Sequence, residues 1–414
     1  QWSIGNEIEW TYLHYRYATG FWKDPNKPQN AGGYWGSGPI LTPEEIKANY
    51  DAAEKGDYIL AETAHKLAKW TRALDPTRVV TTNMVVPQTS MVSGYADAVD
   101  ISGFSYRNKD IAWAIKNWPD RHITINENPG TLDDWKQVEE HPGVFSIFMW
   151  TGIDYMGERH GDWPEKSGWG DLLDLAGFKY QGWNYFKSIW VDEPHISIGT
   201  LPVAKSGFKQ TSISGQQLPE NSNAYKWRDS NMHWNYEDGE AVVVEVCSNY
   251  PVVELFLNGR SLGNRKMDPD KLFRWTMPYE AGTLTAKAHL DDKEITTELH
   301  TTTKPVSIKL ASDKDVLKAD GYDVAHLVVQ LIDENGHEIK TENADIEFSI
   351  EGAASWLGVD NGARSNIQDF KSKTITTAKG RTLAILQSTK EAGKITVTVN
   401  AEGFESQTIT LNSK

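Results

Sequence analysis

Two glutamates in this 414-residue chain each follow an asparagine at the end of a short apolar run. Glu7 ends the run W-S-I-G-N-E, and Glu127 ends the run H-I-T-I-N-E. Two carboxyl groups about 5–5.5 Å apart can cleave a glycosidic bond with retention of configuration, because one protonates the leaving oxygen while the other attacks the anomeric carbon. A single Asn-Glu pair is also typical of a solvated strand end or a helix cap. The chemistry therefore depends on whether the fold brings Glu7 and Glu127 together.

Strands that alternate with helices would position these glutamates. A helix is predicted over residues 59–74, and residues 42–45 (T-P-E-E) have the pattern of a capping box with proline at the first helical position. This alternation predicts a parallel sheet, either doubly wound or a (β/α)₈ barrel, and no glycine-rich nucleotide-binding loop is present. The carboxyl ends of parallel barrel strands meet on one face, where catalytic side chains collect. The predicted strands are residues 2–6, 79–84, 98–106, 122–127 and 144–150, and shorter helices are predicted over residues 111–116 and 132–139.

The pattern changes near residue 196 to short alternating runs separated by turns. Residues 252–263 predict a hairpin that turns at Asn258-Gly259, and further strands are predicted within 326–339 and 394–404. Such spacing is typical of β-sandwiches. We therefore expect three domains: residues 1–195, 196–303 and 304–414.

Composition excludes several classes of function. The formal net charge of −15 repels phosphate backbones and argues against a nucleic-acid partner. No apolar run is long enough to cross a bilayer, so no membrane partner is expected. A neutral substrate fits this charge best, although a local basic pocket could hold an anionic group. The single cysteine, Cys247, predicts a buried thiol and no disulfide. No cofactor or metal site is predicted, because four histidines lack metal-ligand spacing: His14, His65, His160 and His195.

Several segments together resemble glycoside hydrolase family 2. W-S-I-G-N-E is similar to the family's acid/base strand, and F-M-W-T-G-I-D-Y-M-G-E (148–158) to its strand 8 signature. V-E-L-F-L-N-G-R-S-L-G, W-T-M-P-Y-E-A-G-T-L and G-V-D-N-G match its C-terminal sandwiches. N-E-N-P-G departs from the Glu-Tyr-Gly that is more common after the nucleophile. The resemblance covers nearly the whole chain and implies a partial (β/α)₈ TIM barrel, strands 4–8, followed by two immunoglobulin-like sandwiches.

The resemblance also implies roles for individual residues. Glu7 would be the general acid/base and Glu127 the nucleophile. Asn6 would hydrogen-bond the sugar 2-hydroxyl, and Tyr106, at the end of strand 6, would hydrogen-bond the nucleophile. Trp150, at the end of strand 8, would form the floor under the sugar. Core packing is the alternative for Tyr106 and Trp150, and a plain turn role for Asn6.

Residues 9–35 form a long predicted loop rich in aromatic side chains. The barrel rule places this loop on the catalytic face, where we expect it to line the subsites for the leaving group. Trp10, Trp22 and Trp35 are the candidate sugar platforms, since aromatic rings pack on the C–H faces of sugars. Packing onto a neighbouring domain or subunit is the alternative.

The resemblance implies a retaining exo-β-glycosidase and favours a β-galactosidase. A β-glucuronidase would call for Asn-x-Lys after strand 8, and residues 151–170 contain none. Another family 2 β-glycosidase acting on algal or plant glycans stays open, as does a non-catalytic carbohydrate-binding or assembly fragment. Some relatives bind a divalent ion near the acid/base, which nothing in this sequence establishes.

The first three barrel strands and the domains before them are not in the sequence. We therefore expect the N-terminal part of the same protein as a partner, besides the carbohydrate, and a homo-oligomer stays open. The sequence lacks a start methionine and a signal-peptide pattern, so it fixes no compartment. The resemblance favours a periplasmic or secreted bacterial protein.

Overall fold

The computed structural model describes residues 1–22, 33–158, 162–168, 170, 172–206 and 230–414. The chain divides into two compact units, residues 1–151 and residues 152–414. Each unit is described by itself below. The domain boundaries predicted at residues 195 and 303 stay predictions.

The first unit contains a five-stranded sheet in which every neighbouring pair is parallel and the strands follow one another in chain order. Helices connect successive strands, so the predicted alternation of strands and helices is confirmed. Each strand overlaps one of the predicted runs. The strands are β1 (Trp2–Asn6), β2 (Val80–Met84), β3 (Ile101–Ser105), β4 (His122–Glu127) and β5 (Val144–Ile147).

One helix of this unit begins where the sequence places a capping signal. Thr42 Oγ1 accepts a hydrogen bond from Glu45 N–H at 3.3 Å, and the Glu45 carboxylate accepts one from Thr42 N–H at 2.8 Å. The predicted capping box is therefore confirmed. The helices are α1 (Leu13–Ala18), α2 (Pro43–Ala52), α3 (Leu60–Leu74), α4 (Pro87–Ser90), α5 (Ile111–Asn117) and α6 (Leu132–Glu140), with 3₁₀ turns at Ile8–Thr11, Ala96–Ala98 and Asn108–Asp110.

The aromatic segment after β1 is more regular than predicted. Ile8–Thr11 is a 3₁₀ turn and Leu13–Ala18 is helical, so the prediction of one continuous loop over residues 9–35 is wrong for these residues. The cause is burial, since Tyr15 and Ala18 on α1 lie in the core of the unit. Residues 23–32 of the predicted loop lie outside the described residues.

The core of the first unit lies between the sheet and its helices. Phe104, Ile123 and Ile125 are fully buried, and Ala64 and Ala68 of α3 pack in the same cluster. The burial of β3 along its whole length explains why its sequence, I-S-G-F-S, does not alternate between apolar and polar residues.

The second unit is mostly antiparallel sheet. The elements are β6 (Tyr155–Met156), β7 (Ser167–Gly168), α7 (Gln181–Trp190), β8 (Ile196–Pro202), α8 (Val203–Ser206), β9 (Ala241–Ser248), β10 (Val252–Leu257), β11 (Arg260–Lys266), β12 (Leu272–Pro278), β13 (Thr283–Leu290), β14 (Lys293–His300), β15 (Ser307–Ser312), β16 (Val316–Leu317), β17 (Val324–Ile332), β18 (Asp345–Gly352), β19 (Ala354–Asp360), β20 (Thr374–Thr376), β21 (Arg381–Ser388), β22 (Gly393–Asn400) and β23 (Gln407–Ser413). Among the described residues, one core includes side chains from the sheets β11-β10-β13-β14 and β12-β9-β8. Another core includes side chains from the sheets β15-β17-β21-β19 and β16-β23-β22-β18-β20, which together are called the last sandwich below.

The predicted hairpin is present between β10 and β11. Asn258 and Gly259 have φ angles of 52° and 78°, and Leu257 pairs with Arg260 across the turn. Two consecutive positive φ angles match the twist of a two-residue hairpin, which is why Asn-Gly is favoured there. The hairpin prediction is confirmed.

Within the described residues, every helix is too short or too polar to cross a bilayer.

Candidate active site

Glu7 and Glu127 both lie at the carboxyl edge of the parallel sheet, directly after or at the end of their strands. Glu127 is the last residue of β4, and Glu7 follows β1. The strands β2 and β3 separate them, so a flat sheet would hold their backbones about 14 Å apart at roughly 4.8 Å per strand. Cooperation between the two carboxyl groups therefore requires the sheet to curve.

Asn83 shows that this edge of the sheet converges. Its amide nitrogen Nδ2 donates to Asn6 Oδ1 at 2.7 Å and lies 3.4 Å from Glu127 Oε1. One side chain on β2 thus contacts the residue before Glu7 on one side, and reaches across β3 to Glu127 on the other. The side-chain amide of Asn83 therefore contacts both Asn6 and Glu127.

Sequence reasoning missed Asn83. It lies near the end of the predicted strand 79–84, in the same strand-end position as Asn6 and Asn126. Asn126 Nδ2 also donates to Asn83 Oδ1, which fixes the orientation of the Asn83 amide. The signal available in the sequence was the recurrence of asparagine at three strand ends.

Gly103 on β3 leaves room for these asparagines. A Cβ atom built on Gly103 would lie 1.9 Å from Asn126 Nδ2 and 2.5 Å from the Thr82 carbonyl oxygen. Every residue other than glycine would therefore displace Asn126, and with it the hydrogen bond to Asn83.

The backbone turns sharply after the strands that carry these residues. Glu7 has φ 50° and ψ 28°, and Tyr106 has φ 57°, a left-handed conformation that costs non-glycine residues about 1–2 kcal/mol. Two hydrogen bonds hold the turns: Glu7 N–H donates to Asn83 O at 2.9 Å, and Tyr106 N–H donates to Glu127 O at 2.7 Å. Strained backbone of this kind concentrates at functional sites.

Burial differs between the two carboxyl groups. The side chain of Glu127 is buried, with 7% of the residue exposed, whereas Glu7 is half-buried. The roles predicted for Glu7 and Glu127 stay predictions. The hydroxyl contact predicted between Tyr106 and Glu127 stays a prediction, although the backbone contact makes them neighbours.

Trp150 lies beyond the end of its strand. β5 ends at Ile147, so the prediction that Trp150 ends a strand is wrong by three residues. Trp150 N–H instead donates to Asn128 O at 2.9 Å, which ties it to the residue after Glu127. The ring is 36% exposed, and the Trp150-Thr151 peptide is cis.

Asn128 explains the unusual N-E-N-P-G segment. It is fully buried, its Nδ2 donates to Phe148 O at 2.7 Å, and its Oδ1 accepts from Gly130 N–H at 2.9 Å. This asparagine therefore joins the turn after Glu127 to the chain after β5.

The predicted aromatic platforms form one cluster with unequal exposure. The Trp10 ring centroid lies 5.8 Å from that of Trp22 and 5.3 Å from that of Trp35. Trp35 is 50% exposed, but Trp22 is only 5% exposed and also contacts Tyr34. Trp22 is therefore a buried member of the cluster, and the prediction that it is an exposed platform for a sugar is wrong. Trp10 is partly exposed and Trp35 presents an open ring.

A buried arginine next to Tyr106 holds this aromatic cluster. The Arg107 guanidinium is fully buried, pairs with Asp110, and lies over the Tyr34 ring at 3.8 Å. It also donates to the backbone carbonyls of Tyr34 and, at 3.1 Å, Ser37. Arg107 thereby fixes the backbone on both sides of Trp35 to the end of β3.

Glu9 is a second buried carboxyl group close to Glu7. Its Oε1 accepts from the N–H groups of Val85 and Val86 at 2.6 and 2.8 Å, while Oε2 has no hydrogen-bond partner among the described residues. Burial raises the pKa of Glu9 from 4.5 to about 7, and the negative charge of Glu7 adds to the effect. Glu9 therefore anchors the chain that follows β2.

Within the described ranges, no three His, Cys, Asp or Glu side chains come together in a way that could hold a metal ion. Carboxylate chemistry is what this arrangement can supply.

In the second unit, an ion pair and hydrogen bonds of Arg364 connect the segment after Trp150 to the last sandwich. Arg364 Nε donates to Asp154 Oδ2 at 2.9 Å, and its Nη2 donates to Gly170 O at 2.8 Å. Asp154 is fully buried and also accepts from Tyr180 Oη at 2.7 Å. Residues 152–180 and the last sandwich therefore share one buried ion pair.

Comparison with known proteins gives a consistent result. Residues 308–410 match the glycoside hydrolase family 2 C-terminal domain 5, and residues 239–296 match a domain of unknown function, DUF4982. The chain is 25% identical to beta-galactosidase BoGH2A of Bacteroides ovatus over 464 residues, covering 100% of this chain and 49% of the relative. It is 30% identical to a beta-glucuronidase of Formosa agariphila over 186 residues, covering 44% of this chain and 19% of the relative.

A solved structure extends the similarity to the fold. A glycosyl hydrolase family 2 member from Bacteroides cellulosilyticus superposes with a TM-score of 0.74 at 30% identity, covering 86% of this chain and 47% of that one. The fold is thus the multidomain, mostly β fold of glycoside hydrolases. The chain is similar to the C-terminal half of glycoside hydrolase family 2 proteins, and it spans about half the length of the Bacteroides ovatus relative.

Proposed function

We propose that this chain carries the catalytic carboxyl groups of a retaining exo-β-glycosidase, with Glu7 as general acid/base and Glu127 as nucleophile. In the first step Glu127 attacks the anomeric carbon while Glu7 protonates the leaving oxygen. In the second step Glu7 deprotonates the water that releases the sugar from Glu127. The observation that carries the proposal is Asn83, whose single amide contacts both Asn6 and Glu127.

A β-galactosidase is the substrate class that we favour. A relative that aligns along the whole chain is named a beta-galactosidase, and residues 151–170 lack Asn-x-Lys. The alternative is a β-glucuronidase, because one of the relatives is named a beta-glucuronidase. Another family 2 β-glycosidase that acts on algal or plant glycans is a further alternative. A non-catalytic carbohydrate-binding fragment is less well supported, because both glutamates are present at the sheet edge.

A screen of chromogenic β-glycosides on the full-length protein tests the assignment. Glu127→Gln should remove nearly all turnover, because an amide is too poor a nucleophile to form the intermediate. Glu7→Gln should still release very good leaving groups in the first step, and azide should rescue Glu7→Ala by replacing the activated water. Glu44→Gln, at an exposed glutamate on α2, is the matched control and should keep full activity. Full activity of either site variant on a natural disaccharide would contradict the roles.

We further propose that the parallel sheet is completed by strands from the N-terminal part of the same protein, giving a (β/α)₈ barrel followed by immunoglobulin-like sandwiches. β1 and β5 are the edges of the five-stranded sheet, and Trp2 and Phe145 on these strands are each 51% exposed. Barrels remove such edges by pairing them. Residues 1–414 expressed alone should be poorly soluble and inactive, and should gain activity when the N-terminal part is added. A soluble, monomeric and fully active product would contradict this.

A further inference from the structure

Arg16 on α1 is unusual in this acidic chain because its charge is not neutralised. Other buried or partly buried arginines pair with carboxylates, among them Arg107 with Asp110 and Arg274 with Glu245. In the described residues Arg16 makes no ion pair and its side chain makes no hydrogen bond, and its Nε is buried without a partner. The ion-pairing capacity of the Arg16 guanidinium is therefore not used by the described residues.

The position of Arg16 connects it to the proposed site. Its guanidinium lies over the Trp10 ring, 5.0 Å from the centroid. Trp10 belongs to the 3₁₀ turn that follows Glu7, and its N–H donates to Glu7 O at 3.1 Å. The exposed ring of Trp35 adjoins Trp10. The Arg16 guanidinium and the exposed Trp35 therefore both contact Trp10, which lies in the turn after the proposed general acid.

We propose that Arg16, with the Trp10 and Trp35 rings, forms a subsite for a carboxylate or sulfate group on the sugar that leaves. This inference rests on the proposed function, which assigns the Glu7 side of the site to the leaving group. The planar guanidinium can donate two parallel hydrogen bonds to a carboxylate or sulfate, and it lies 5.0 Å from the centroid of the Trp10 ring. The ring of the same sugar packs on Trp35.

Because the net charge of the chain is −15, a single unpaired arginine at the subsite would influence whether neutral or anionic substrates bind. The negative charge of this chain disfavours anionic substrates, so an acidic glycan needs a local cation at the subsite. The Arg16 guanidinium supplies this local positive charge, and no large basic patch is needed. The substrate class is then an acidic oligosaccharide with a neutral sugar at its non-reducing end.

The test compares three disaccharides with the full-length protein: a β-galactosyl uronic acid, the same compound with its carboxyl group reduced, and a β-galactosyl hexose sulfate. Arg16→Gln should lower kcat/KM for the charged compounds about 10- to 100-fold, mainly through KM, and for the neutral compound less than about threefold. Comparing the losses of kcat/KM for the uronic acid and for the sulfate compound identifies which anion Arg16 recognises. Arg16→Lys should recover part of the effect, because it keeps the charge but not the planar guanidinium.

Arg78→Gln is the matched control, since it removes an equal charge from an exposed arginine just before β2, at the opposite end of that strand from Asn83. It should leave the charged-to-neutral ratio unchanged. Equal ratios in the unsubstituted protein and Arg16→Gln would overturn the proposal. So would an equal loss on all three compounds with Arg16→Gln, which would show that Arg16 only packs on Trp10 or pairs with another part of the protein.

Failure of the proposed function gives a different result. If the unsubstituted protein hydrolyses none of the compounds, the β-galactosidase assignment fails. Calorimetric binding of the uronic acid disaccharide to Glu127→Gln, with and without Arg16→Gln, then still decides the subsite. Binding that Arg16→Gln weakens at least tenfold supports it, and unchanged binding refutes it.

Discussion

Replacing Glu9 with glutamine should change how the stability of the first unit depends on pH. Glu9 is fully buried, and burial raises its pKa from 4.5 to about 7. The folded protein therefore keeps this proton over a pH range in which the unfolded chain has lost it. Glutamine does not titrate, so Glu9→Gln removes the difference.

The sign and size follow from the two pKa values. Below pH 4.5 the carboxyl group is protonated in both states and burial carries no ionisation cost. Between pH 4.5 and about 7 the unfolded chain releases the proton first, so the free energy of unfolding falls as the pH rises. Above pH 7 the loss is complete at about 3 kcal/mol, at roughly 1.4 kcal/mol per pKa unit. The glutamine variant should lack this decline.

Urea unfolding of the full-length protein at a series of pH values from 4.5 to 8 measures the effect. Glu9→Gln leaves a buried amide donor in place of Oε2, which lowers stability by a constant amount, so the slopes and not the absolute values are compared. Glu44→Gln, at an exposed glutamate, should follow the unsubstituted protein. At pH 6 the carboxylic acid band in the infrared spectrum should be weaker in Glu9→Gln than in the unsubstituted protein by the contribution of one carboxyl group. Parallel stability curves for the unsubstituted protein and Glu9→Gln would show that Glu9 is already ionised, and would refute the reasoning.

Three further substitutions test the packing around the site. Arg107→Met should lower the free energy of unfolding by about 3–5 kcal/mol, because it leaves a buried carboxylate without its partner; a loss below about 1 kcal/mol in urea unfolding would contradict this. Gly103→Ala should lower kcat at least tenfold, since its Cβ would overlap Asn126 Nδ2, and an unchanged kcat would show that Asn126 does not matter for turnover. Arg364→Ala should leave Asp154 buried and uncompensated, costing about 3 kcal/mol or more and speeding hydrogen exchange in residues 152–158. Unchanged exchange there would show that the ion pair does not hold the segment.

The elements that the sequence predicts correctly are those with local signals. Thr42 and Glu45 specify a helix start through atoms three residues apart, and Asn258-Gly259 specifies a hairpin through its own backbone angles. Each signal lies within a few residues, so no knowledge of the rest of the fold is needed. The parallel strands follow from apolar runs of the right length.

The features that the sequence does not predict depend on contacts between distant segments. The role of Asn83 arises only because the sheet edge converges, which joins β2 to a residue 44 positions later. The burial of Trp22 depends on Tyr34 and Trp10 packing around it. The helix at Leu13–Ala18 similarly forms because Tyr15 enters the core. Local pattern cannot distinguish a buried aromatic residue from an exposed sugar platform.

The buried pair of Arg364 and Asp154 has a consequence for how this protein can evolve. Their side chains are 12% and 0% exposed, and 210 positions separate them in the chain. If the last sandwich were lost or exchanged for one without Arg364, the Asp154 carboxylate in the segment after Trp150 would have no charged partner. We therefore expect Asp154 and Arg364 to change together during evolution, and we expect exchange of the last sandwich alone to destabilise the segment after Trp150.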